Sequence, residues 1–107
     1  MEINGDIAQM LDAVRDPVRL ELIFLIGGQG GLNVTEIASR FKLSRPAVSH
    51  HLKVLRMAGI IKGEKQGLEV FYRLDRQRIV ECLRSLAGAI ETCCPMPDDP
   101  QDNKPGN

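Results

Sequence analysis

Residues 44–67 read SRPAVSHHLKVLRMAGIIKGEKQG, and how they fold decides the architecture. Ser44 is suited to cap a helix, and Pro46 is tolerated in the first turn that follows. Val48, Leu52 and Leu55 recur at i, i+4 and i+7, so they share one face. Pro46, Ser49, His50 and Lys53 fall on the other side, which is polar, basic and nearly free of bulky apolar groups. The helix is expected to end at Ala58, with Gly59 as the left-handed residue beyond it.

Working upstream, Asn33 followed by Glu36 has the spacing of a capping box, which predicts a helix over 34–41. Ile37, Ala38 and Phe41 point inward from it, and Lys42-Leu43 makes a tight turn. Two helices joined so closely form a helix-turn-helix. The open face of the second suits the DNA major groove, which admits one α-helix. Downstream, strands are expected over 60–65 and 68–74 around Gln66-Gly67, with Val70, Tyr72 and Leu74 alternating with Phe71 and Arg73. A hairpin directly after a recognition helix is a wing. Ser44, Arg45, Ser49, His50 and Lys53 are the candidate DNA contacts of the helix. Lys65 and Arg73 are those of the wing, where they meet the phosphate backbone. Arg45 suits a guanine edge, and equally a phosphate.

The flanks complete a small domain. Residues 5–14 form a helix with Ile7, Met10, Leu11 and Val14 on one face. Asp16 caps the next helix and Pro17 fits its first turn. Val18, Leu22, Leu25 and Ile26 are its core stripe, and Gly27-Gly28 is expected to end it, leaving GGQGGLN as a flexible loop. Asp75 caps a last helix over 76–92, with Ile79, Val80, Leu83, Leu86, Ala87 and Ile90 on a long apolar face. Such a stripe needs a partner, and a second copy of the chain is the simplest one. The fold class is mainly α with a small β-hairpin: a winged helix-turn-helix, homodimeric through its N- and C-terminal helices. Residues 1–92 form this domain. Residues 93–107, CCPMPDDPQDNKPGN, carry four prolines and read as a flexible tail.

Charge supports the assignment. The chain holds 14 Lys and Arg against 14 Asp and Glu, so it is neutral overall. Yet from Ile37 to Gly63 Arg40, Lys42, Arg45, Lys53, Arg56 and Lys62 stand with no Asp or Glu. Acids gather instead at Glu2, Asp6, Asp12 and Asp16, and again at Asp98, Asp99 and Asp102. A local positive patch is a footprint for phosphates. No apolar run approaches the roughly 20 residues needed to span a bilayer. The start MEINGDIAQM lacks the form of a signal peptide, so a cytoplasmic location and free thiols are expected.

The order of elements, with LSRPAVSHHLKVLRMAGII, resembles the ArsR/SmtB family of metal- and metalloid-responsive repressors. The residues that carry the resemblance are Asp16-Pro17-Val18-Arg19, Ser44, Val48-Ser49-His50-His51-Leu52, Leu55, Ala58-Gly59 and Tyr72-Arg73-Leu74. It covers about residues 5–92. It implies a homodimer of winged-helix protomers that binds an inverted repeat in double-stranded DNA and releases it when an effector binds. His51, about 60° from the Val48–Leu52 stripe, reads as a packing or hydrogen-bonding residue.

The family's effector sites are only partly matched. One class carries Cys-x-Cys at the third helix, where this chain has Asn33-Val34-Thr35. Another binds zinc between the paired last helices, where this chain has Asp75, Gln77, Gly88 and Glu91, too poor a set for tight zinc. Soft ligands remain at Cys93 and Cys94, which resemble the neighbouring cysteines by which some members bind trivalent arsenic. Arsenite, or antimonite, is therefore the expected effector, with no resident cofactor. Cys82 is a possible third thiolate, but it lies about 16 Å before Cys93 along the helix. The family's dimer register puts it near its own symmetry mate, with Cys93 near the partner's Tyr72. Its alternative role is a small buried hydrophobe.

Two further readings stay open. The same repressor fold can sense redox or sulfur species such as persulfides, since exposed thiols oxidise. A winged helix can also serve as a protein-interaction module. An enzyme is not expected: no nucleophile–base pair, phosphate-cradling loop or metal centre stands out.

Overall fold

The computed structural model describes residues 5–94 and Met96. The elements run α1 (Gly5–Val14), α2 (Pro17–Gln29), β1 (Leu32–Asn33), α3 (Val34–Phe41), α4 (Arg45–Met57), β2 (Ile61–Gln66), β3 (Glu69–Leu74) and α5 (Arg76–Cys93). The strands form one antiparallel sheet in the order β1-β3-β2.

Local chemistry sets the boundaries. The Asp16 carboxylate accepts from the amides of Val18 (2.8 Å) and Arg19 (3.2 Å), two donors that the first turn of α2 leaves without helical partners. Asp75 does the same for α5 through the Arg78 amide at 3.3 Å. Gly59 takes φ +77 after α4, as the sequence predicts. The core is aliphatic: Met10, Leu22, Ile26, Ile37, Val48, Leu52, Leu55, Ile60 and Ile61 are wholly buried beneath the helices.

Four expectations are corrected. Helix α2 does not stop at Gly27-Gly28. It continues to Gln29, and the left-handed terminator is Gly30 at φ 79. Glycine weakens a helix without ending it when packing favours the helical path. Packing does so here, since a Cβ on Gly27 would meet the Leu74 side chain at 2.7 Å. The bare backbone thus lets β3 lie close to α2. Second, the loop after α2 contains β1, which pairs Leu32 with Tyr72 and Asn33 with Phe71. Third, the hairpin turns at Gly67-Leu68, with Gln66 opposite Glu69, one residue later than expected. Fourth, α1 buries Ile7, Met10 and Ala13, whereas Leu11 is exposed.

Helix α5 matches its expected position and extends one residue further, to Cys93. None of its 18 residues is buried. Its apolar stripe is half-covered at Ile79 and Val80 and open to solvent at Leu83 and Ile90. Among the described residues no helix is long and apolar enough to cross a membrane. Of the expected tail, residues 95 and 97–107 lie outside the described residues.

Candidate nucleic-acid interface

Three residues fix the two ends of α3 and the start of α4. Asn33 completes the capping box: its side chain accepts from the Glu36 amide at 2.8 Å, and Glu36 Oε1 accepts from the Asn33 amide at 2.9 Å. Lys42 adopts φ 55 and reverses the chain. Ser44 Oγ then accepts from the Ala47 amide at 3.2 Å and starts α4.

From that start, burial splits α4 cleanly. Val48, Leu52 and Leu55 are buried, while Ser44, Arg45, Ser49, His50 and Lys53 are exposed. The structure thus brings the expected contacts of the helix together on its open side. Arg40, Lys42 and Arg56 are exposed nearby in sequence and add to the positive field.

The wing separates its two expected contacts. Lys65 sits next to the tip, opposite Val70. Arg73 lies lower in the hairpin, opposite Lys62, and its Nε pairs with Glu64 Oε1 at 3.2 Å. Its charge is therefore partly answered within the protomer. Leu68 at the tip is fully solvent-exposed. The side chain of Asn33 also donates to the Glu69 carboxylate, which ties the start of α3 to the wing.

His51 is half-buried and makes a hydrogen-bonding contact within the protomer. Its Nδ1 lies 3.4 Å from Nη1 of Arg19. Arg19 is buried: Nε donates to the Ala13 carbonyl at 2.8 Å, Nη2 to the Asp12 carbonyl at 3.3 Å, and Nη1 stands 3.8 Å from Asp16 Oδ2. A guanidinium only donates, so this contact calls for a neutral His51 ring that accepts at Nδ1. Burial pushes the His51 pKa below its ordinary value, the Arg19 cation adds to this, and the Asp16 carboxylate opposes it. Asp16 is itself held below the usual carboxylate range, first by the Arg19 amide. Sequence reasoning named Arg19 only as part of a motif. The signal available was an arginine one turn before Leu22 and Ile23, on the side of the helix that carries the core residues.

The thiols occupy two environments. Cys93 ends α5 and Cys94 follows as its C-terminal cap, both free and exposed. Cys82 is half-buried against the core, with Sγ 3.9 Å from the Asp6 carbonyl. Among the described residues no three or more His, Cys, Asp or Glu side chains are grouped to hold a metal ion. A separate apolar groove of about 510 Å³ runs between α2 and α5, lined by Leu20, Phe24, Val80 and Leu83 among others. Phe24 is 73% exposed there, a large solvent-facing aromatic.

Comparison with known proteins points one way. The family model described as bacterial regulatory protein, arsR family, matches residues 16–62. An uncharacterized HTH-type transcriptional regulator of Methanocaldococcus jannaschii, MJ1325, is 34% identical over 84 residues, 78% of this chain and 94% of that protein. The transcriptional repressor SdpR of Bacillus subtilis is 35% identical over 63 residues, 59% of this chain and 69% of that protein. A crystal structure described as a possible transcriptional regulator for arsenical resistance superposes with a TM-score of 0.67 at 35% identity, covering 78% of this chain and 84% of that one.

Proposed function

Since the chain belongs to the ArsR family of bacterial transcription regulators, winged helix-turn-helix proteins and not enzymes, we propose that it is a homodimeric repressor in the cytoplasm. It binds an inverted repeat in double-stranded DNA and releases it when a thiophilic effector binds. One observation carries the reading. The solvent side of α4 presents Arg45, Ser49, His50 and Lys53, while Val48, Leu52 and Leu55 anchor the helix from behind. A helix held this way can enter a major groove without disturbing the core. Lys65 beside the wing tip supplies a phosphate contact, and Arg73 does so once it leaves Glu64.

A mobility-shift titration on the DNA upstream of the chain's own gene tests this. The expected result is binding whose logarithm falls linearly with log salt, as release of counterions requires. Binding indifferent to salt would instead mark a protein-interaction module.

For the effector, Cys93 and Cys94 at the end of α5 are the exposed thiols among the described residues, and thiolates are soft donors. Trivalent arsenic or antimony is the effector class they suit. One protomer supplies only this pair at one place, because Cys82 is packed beside Asp6. The missing third ligand then comes from the partner protomer or a small thiol. Replacing Cys93 and Cys94 together by Ser should abolish arsenite-induced release and leave operator binding intact. Unchanged release in that variant would refute a role for the pair. The exposure of both thiols also favours a second reading, sensing of oxidants or persulfides. Arsenite titrations with and without prior oxidation separate the two.

A further inference from the structure

A cleft of about 180 Å³ lies where the start of α3, the start of α4 and the wing meet, lined by Asn33, Thr35, Arg45, Glu69 and Tyr72 among others. Within it Arg45 Nη1 donates to Thr35 Oγ1 at 2.7 Å. Arg45 is the first residue of α4, the end of a recognition helix from which base edges are read. One carboxylate, Glu69, lines the cleft, and it accepts from the Asn33 side chain. The ion pairs of the described residues do not include Arg45, whose hydrogen-bond partner is the neutral Thr35 hydroxyl.

We propose that Thr35 is a positioning residue for DNA readout, presenting the guanidinium of Arg45 to a guanine edge. This rests on the reading of α4 as a recognition helix. The hydroxyl engages one corner of a five-donor fork, and the remaining donors stay available on an exposed side chain. A neutral acceptor restrains the side chain without cancelling its charge. Part of the rotamer freedom that an arginine gives up on binding is thereby surrendered beforehand. Thr35 is exposed in the first turn of α3, so its hydroxyl can be exchanged without opening the core.

The test measures affinity for the chain's own upstream duplex and for a scrambled duplex of equal length. Thr35→Val should lower the ratio of the two by about two- to tenfold, the range that ordering one rotamer-rich side chain on binding is worth, and by less than Arg45→Ala does. Affinity for the scrambled duplex should hold, since the charge remains. Thr35→Ser should restore the ratio, and Thr35→Ala should repeat the loss if Val disturbs the helix. In an Arg45→Ala background, Thr35→Val should add nothing. If Arg45→Ala lowers the ratio and Thr35→Val does not, the inference is overturned while the reading of α4 stands. If Arg45→Ala itself leaves the ratio unchanged, Arg45 reads no base and both the inference and that assignment fail.

Discussion

Arg19 is the buried charged side chain of the described residues, and its partners explain why a cation is tolerated there. Two backbone carbonyls, one carboxylate and one imidazole take up its donors, which offsets the cost of removing the charge from water. Replacing it with Met leaves those carbonyls without a partner and should cost about 1–3 kcal/mol in thermal or urea unfolding. The same change removes a cation from beside His51, so the His51 midpoint in an NMR titration should rise. In the unaltered protein the sign follows from the depressed pKa. The unfolded chain binds the His51 proton more readily, so this contribution is present above the ordinary histidine pKa of about 6.5. It is lost as pH falls through the lower folded value. A helical wheel separated His51 from the solvent-facing His50. It was silent about Arg19, because that contact joins residues 32 apart in sequence.

At the level of elements, caps were legible because they depend on residues within three positions of each other. Asp16, Asn33, Ser44 and Asp75 all cap the helices assigned to them. The short strand β1 was not legible. Its two residues are a strand only because β3 lies alongside, a pairing across some 40 residues. The glycines of α2 show the same limit. A Cβ on Gly28 meets nothing within 4 Å, so Gly28→Ala should stabilise by about 0.5–1 kcal/mol through helix propensity alone. Gly59→Ala should do the reverse. At φ +77 an alanine is strained, and its Cβ would stand 2.8 Å from Arg78 Nε. A loss of about 1–3 kcal/mol is expected, read as a fall in melting temperature.

Across the whole molecule, the sequence marked the apolar stripe of α5 as needing a partner, and the protomer covers it only in part. Leu83 and Ile90 remain exposed, and the groove beside α2 adds Leu20 and Phe24 to the same problem. A second copy covering this face would make the melting temperature rise with protein concentration. Leu83→Asp should then shift sedimentation toward the monomer and weaken operator binding, with the Arg45 face unaltered. A variant that stays dimeric would locate the interface elsewhere. The division of charge was also readable from composition, since burial leaves the basic residues from Arg40 to Lys62 on the outside.

Leu68, wholly in solvent at the hairpin tip, invites a practical use. A thiol-reactive dye coupled at this position after Leu68→Cys, in a chain whose own three cysteines are replaced, would sit clear of the folded core. Its emission would then follow the approach of the tip to a duplex in real time, and salt-jump kinetics could time the arrival of the wing against that of the helix.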